Sequence, residues 1–126
     1  MPTRSDLLQR RLVEFGVSAS TLCRRLSHDA STSHLSRQLA KAAVSPAAQY
    51  AEARDAESSL DYVHKLKIAV KELREAAIWL EMVKRVALLD YGVDAVRDEC
   101  GQLTAILVTC IKKARAGEKA GASSEG

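Results

Sequence analysis

Leu8, Leu12, Phe15, Ala19, Leu22 and Leu26 recur at intervals of four, three, four, three and four residues. Apolar positions so spaced share one face of a helix, because an α-helix turns once in 3.6 residues. The pattern predicts an amphipathic helix from about Leu7 to Leu26, with Ser5 or Asp6 capping its start by accepting backbone N–H bonds. The polar run from Ser27 to Ser33 reads as a loop. A second helix is predicted from near Ser33 to about Ala56, with Leu35, Leu39, Ala42, Ala43 and Tyr50 on one side. Its small residues allow a neighbouring helix to come close. Pro46 lies in its interior, where a missing N–H and a crowding ring predict a kink or a break.

The third pattern is the longest. Leu66, Ala69, Leu73, Ala76, Leu80, Val83 and Ala87 form a seam within a helix predicted from about Ser58 to Leu88, opened by the capping sequence Ser58-Ser59-Leu60-Asp61. Val63, Val70, Ala77, Ile68, Trp79, Met82 and Val86 carry the apolar surface further round, so this helix should touch more than one neighbour. Such a surface is hard to cover within one bundle and suggests self-association. Leu89-Asp90-Tyr91-Gly92 reads as a turn, and a fourth helix follows from Val93 to about Ala114 on a seam of Val96, Cys100, Leu103, Leu107 and Cys110.

Four long helices joined by short connections predict an all-α fold, an antiparallel up-down-up-down four-helix bundle. The folded domain is expected to span residues 1–116, and the small, polar segment 117–126 is expected to be a disordered tail. Composition agrees with the helical reading: 126 residues contain two prolines, six glycines and few aromatics. The N-terminus lacks a signal-peptide pattern and no apolar run is long enough to cross a bilayer, so a cytoplasmic protein without membrane contact is expected. Cys23, Cys100 and Cys110 offer no CxxC pair and are expected to be reduced thiols acting as small apolar groups.

Charge changes the picture more than composition does. The net value of +3 is unevenly spread. Residues 46–64 carry Arg54 alone against Glu52, Asp55, Glu57 and Asp61, whereas basic residues dominate on either side. The candidate nucleic-acid-binding residues are Arg10, Arg11, Arg24, Arg25, Arg37 and Lys41 in the first two helices, and Lys65, Lys67, Lys71, Arg74, Lys84 and Arg85 in the third. Guanidinium and ammonium groups gathered on one surface neutralise phosphates and release counterions. The opposing reading makes them solvated faces balanced by Glu14, Glu72, Glu75 and Glu81.

Motifs for chemistry are missing. There is no phosphate-binding Gly-rich loop, no GxSxG elbow and no Cys/His zinc spacing. A di-iron bundle needs Glu-x-x-His on two helices, and the nearest match is a single Asp61-Tyr62-Val63-His64. His28 and His34 flank a loop and read as solvated. Glu52, Glu72 and Glu75 are read as structural carboxylates rather than an acid–base pair, and Trp79 as a core or interface residue rather than a base-stacking platform. The expectation is a protein that is not an enzyme, with no catalytic residue, cofactor, metal or small-molecule substrate.

Gln38-Leu39, the small-residue stretch Ala40-Lys41-Ala42-Ala43-Val44-Ser45 and then Ala51-Glu52-Ala53 resemble the second helix of a known bacterial family. The third helix continues the likeness with Ser58 or Ser59, Asp61-Tyr62, Lys65-Leu66, Ile68-Ala69, Lys71-Glu72, Glu75 and Trp79-Leu80-Glu81. In these residues the chain resembles the four-helix bundle proteins named after the 23S ribosomal RNA intervening-sequence protein, over about residues 7–115. Gln49 stands where the family usually has Asn, and Pro46 where it more often has Ile or Val. The resemblance implies a homo-oligomer, a pentameric ring. It also implies an accessory role for some members, which bind a reverse transcriptase and nucleic acid in diversity-generating retroelements. The function expected is therefore an oligomeric helical adaptor that binds RNA or DNA. The alternative is a protein-binding scaffold oligomer without nucleic-acid affinity.

Overall fold

In a computed structural model, residues 1–26, 30–86 and 92–125 are described, with side chains followed to Lys119. Four helices occupy them: α1 (Arg4–Leu26), α2 (Ala30–Arg54), α3 (Ser59–Val86) and α4 (Val93–Glu125).

The starts of α1, α3 and α4 are each closed by their own hydrogen bonds. Thr3 N–H donates to Asp6 Oδ2 at 2.9 Å while Asp6 N–H donates to Thr3 Oγ1 at 3.0 Å, so two otherwise unpaired donors at the start of α1 are satisfied reciprocally. The cap is thus Thr3, not Ser5 or Asp6, and Asp6 is its partner in the first turn. In α3 the Ser58 hydroxyl accepts from Asp61 N–H at 3.1 Å, as its sequence indicates. Gly92, at a φ of 75°, precedes α4 and its carbonyl accepts from Val96 N–H at 3.2 Å.

The helices differ from the expected bounds in instructive ways. Residues 30–33, expected in the loop, form the first turn of α2; the loop's 27–29 lie outside the described residues, as do 87 and 88 of the expected third helix and 89–91 of the expected turn. The break anticipated at Pro46 does not occur: α2 is one helix, with Pro46 buried inside it. Breaking there would create two further sets of unpaired helix-end groups, more than the one hydrogen bond the proline removes. The fourth helix runs past its predicted end near Ala114 to Glu125. Propagating an existing helix adds one bond per residue without a new nucleus, and Glu118, Lys119 and Ala120 are good helix formers.

Cross-helix bonds define the direction of each neighbour. Gln9 near the start of α1 donates to the Ala47 carbonyl late in α2 at 2.8 Å. At the opposite ends, the Cys23 thiol donates to the Ser36 carbonyl and the Ser36 hydroxyl donates to the Cys23 carbonyl. Cys100 of α4 donates to the Leu73 carbonyl of α3, and Lys84 pairs with Asp94 where those helices meet at their other ends. Arg11 of α1 meets Glu99 of α4. Successive helices therefore run antiparallel around a closed four-helix bundle, with α1 and α4 making the loosest of its four seams. The predicted seams point inward: Leu12, Phe15, Leu39, Leu66, Leu73, Leu80, Leu103 and Leu107 are almost wholly buried. Trp79 is half-buried against this core.

Candidate nucleic-acid interface

The candidate cations sort into three groups. Arg11, Lys65, Lys84 and Arg85 belong to the bundle's own ion pairs. Arg11 holds Glu99 at 2.5 Å, Lys65 holds Glu52 at 3.4 Å, Arg85 holds Glu81 at 3.0 Å, and Lys84 holds Asp94. The second group lies on the outer face of α1 and α2. Arg10, Val13, Val17, Thr21 and Arg24 form one row on α1, at spacings of three and four. Arg37, Lys41, Val44 and Ala48 form the matching row on α2, and all nine residues are solvent-exposed. A shallow groove of 460 Å³ runs between the rows, with Arg24 on its rim. Gly16 faces α2 here, where an added Cβ would touch the Ala43 carbonyl oxygen at 3.4 Å.

Among the described residues no carboxylate pairs with Arg10, Arg24 or Lys41, and Arg37 donates to the neutral hydroxyl of Ser33 at 2.8 Å. Arg25 is exposed one step further round α1. Glu14 is the nearest acid along that helix. Arg10 and Arg24 are separated by about 21 Å of helix axis, close to six nucleotide steps of a duplex strand. The face is long, shallow and cationic, the form that follows a phosphate backbone without reading base edges.

Lys67, Lys71 and Arg74 form the third group, spaced four and three along α3. The antiparallel packing of α4 adds Lys112 and Arg115, which are not among the cations singled out from the sequence. Together they rim a groove of 520 Å³ floored by Val70, Val108 and Ile111, with Glu75 as its one acid among the described residues. Only the direction of packing brings these five cations together. The signal in sequence was the shared three-and-four spacing of cations early in α3 and late in α4.

The cations therefore form two faces rather than one continuous surface. Of the three glutamates singled out, Glu52 is tied to Lys65 across α2 and α3, whereas Glu75 lines the α3/α4 groove. Glu52 and Glu75 do not converge. Among the described residues no three His, Cys, Asp or Glu side chains gather as a metal site would need. His34 and His64 are exposed, and His28 lies outside the described residues. Cys23, Cys100 and Cys110 are not joined in disulfides. Burial raises the Cys23 thiol and pushes Cys100 up to about 11, which keeps both protonated. No helix among the described residues is long and apolar enough to cross a membrane.

Four antiparallel helices around one apolar core, with surplus cations on outer helix faces, define a four-helix bundle. The sequence profile described as "23S rRNA-intervening sequence protein" matches residues 9–109, and the chain belongs to that family. A solved structure from Bacteroides thetaiotaomicron, a protein of unknown function from the S23 ribosomal protein family, superimposes with a TM-score of 0.80. It is 25% identical, and the match covers 87% of this chain and 99% of that one. Comparison with curated proteins gives no match.

Proposed function

We propose that this protein is a homo-oligomeric helical adaptor that binds nucleic acid through the outer face of α1 and α2. The observation that carries this reading is the exposed double row of Arg10, Arg24, Arg37 and Lys41, with which no carboxylate pairs among the described residues. Desolvated or paired cations contribute little to phosphate binding, whereas exposed unpaired ones release counterions when a phosphate arrives. One such face on a 13.7 kDa chain is modest. Repeated around a symmetry axis, it becomes an extended basic belt with high effective concentration for a long polyanion. A ring of five is the assembly that family membership favours, and a nucleic-acid enzyme such as a reverse transcriptase is the protein partner it favours.

Binding of this kind is tolerant of sequence, because the face offers charge and methyl groups but few directed donors to base edges. Fluorescence anisotropy with a structured RNA and a single-stranded DNA tests it. The double variant Arg24→Glu/Lys41→Glu should lose at least tenfold in affinity, while Lys84→Ala/Arg85→Ala should stay within about threefold of wild type. Equal loss in both would refute the assignment to α1 and α2.

A second reading rests on the apolar stripe Ile78, Met82 and Val86, exposed at 52%, 42% and 52% along α3. Such a stripe suits a protein partner and favours a scaffold that acts without nucleic acid. Partners captured by the protein that persist after nuclease treatment, with no nucleic-acid enzyme among them, would support it.

A further inference from the structure

Two features remain unexplained by the fold or by the α1/α2 face. The first is Leu60, which is 76% exposed at the start of α3. An apolar side chain of that size gains nothing in water, and its surroundings are acidic. Asp55, Glu57 and Asp61 flank it, and the two nearest cations are already engaged, Arg54 with Asp6 at 2.7 Å and Lys65 with Glu52. Among the described residues no ion pair forms at Asp55, Glu57 or Asp61. The second is the α3/α4 groove, whose floor is apolar and whose rim carries Lys67, Lys71, Arg74, Lys112 and Arg115. Each feature is the chemical complement of the other.

We infer that the acidic α2–α3 corner of one copy docks into the α3/α4 groove of the next, with Leu60 seated on Val70, Val108 and Ile111. Glu57 and Asp61 then face the cationic rim. Repeated in one direction from copy to copy, the contact is head-to-tail and generates a ring when its rotation closes. This inference deepens the oligomeric part of the proposed function and names the two surfaces involved. The corner and its own groove share one stripe of α3, since Leu60 and Lys67 are seven residues apart. Leu60 nevertheless stays 76% exposed, so its own groove does not cover it. The α1/α2 face is left open by this contact, so assembly and nucleic-acid binding use separate surfaces.

The test is the mass of the full chain in solution, by light scattering after size exclusion, with helicity checked by circular dichroism. Wild type should have a mass several times 13.7 kDa. Leu60→Asp should shift it toward the single chain, as should the corner reversal Glu57→Lys/Asp61→Lys and the groove reversal Lys71→Glu/Arg115→Glu. Joining the two reversals in one chain should restore the wild-type mass. A wild-type oligomer unmoved by Leu60→Asp, or a combined reversal that stays dissociated, overturns this contact while leaving the oligomeric reading intact. A wild-type single chain overturns both. Affinity of Leu60→Asp for a short oligonucleotide, one that fits a single α1/α2 face, should stay within threefold of wild type; a larger loss contradicts the separation of surfaces.

Discussion

Arg11 grips Glu99 through two parallel hydrogen bonds, from Nη2 to Oε1 at 2.5 Å and from Nε to Oε2 at 3.2 Å. This fork joins α1 to α4 across the seam where those helices approach least. Gln102 accepts a further bond from the same guanidinium at 3.2 Å. An arginine read as a phosphate contact is thus a clasp that closes the bundle.

Loss of the clasp should be felt in stability, not in ligand affinity. The pair is partly solvated, with the two side chains 39% and 32% exposed, so screening limits its worth. Arg11→Ala should cost about 0.5–1 kcal/mol in urea denaturation, and the double variant with Glu99→Ala little more than either single change. Additive losses would show that the two side chains do not act as a pair.

Asp6 gives the bundle a sensitivity to acid. The Thr3 backbone N–H, the Arg54 guanidinium and the Thr3 hydroxyl all favour its ionised form, holding the carboxyl at about 2 instead of the ordinary 3.8. A depressed folded-state value stabilises the native state above the unfolded value and loses that effect as pH falls through the folded one. The stability advantage of wild type over Asp6→Asn should therefore be constant above about pH 4 and shrink between pH 4 and 2. Urea midpoints measured across that range check it; an advantage that grew on acidification would contradict it.

The thiols should react in two classes. Cys23 and Cys100 are buried and shifted upward by burial, whereas Cys110 is half-exposed beside Tyr62 in the groove between α1 and α4. At neutral pH a thiol reagent should modify Cys110 first and reach the others only as the chain unfolds. Fast labelling of all three in the native protein would contradict the burial of the α1/α2 and α3/α4 seams.

Much of the fold was legible because it rests on one repeated signal. The four seams at three-and-four spacing name nearly every residue of the core, from Leu12 to Leu107. What was not legible depended on context. Pro46 argues locally for a break, yet its ring is buried and the surrounding helix persists. The apolar seam of the fourth helix fades near Ala114, yet the helix extends to Glu125. For the interface, sequence supplied the basic residues but not their partners. Arg11, Lys65 and Lys84 are paired with residues on other helices, so only packing could remove them from the candidates. Packing likewise supplied Lys112 and Arg115, placed beside Lys67, Lys71 and Arg74 by the antiparallel course of α4.

The central claim, phosphate binding through the α1/α2 face, is tested most directly by the salt dependence of affinity. The measurement is anisotropy of labelled single-stranded DNA titrated with wild type and with Arg24→Glu/Lys41→Glu at several salt concentrations. Wild-type affinity should fall linearly on logarithmic axes, with a slope of roughly −0.7 for each phosphate contacted, and the variant should show a shallower slope as well as weaker binding. An unchanged slope in the variant, or no wild-type binding at the lowest salt, would contradict the account.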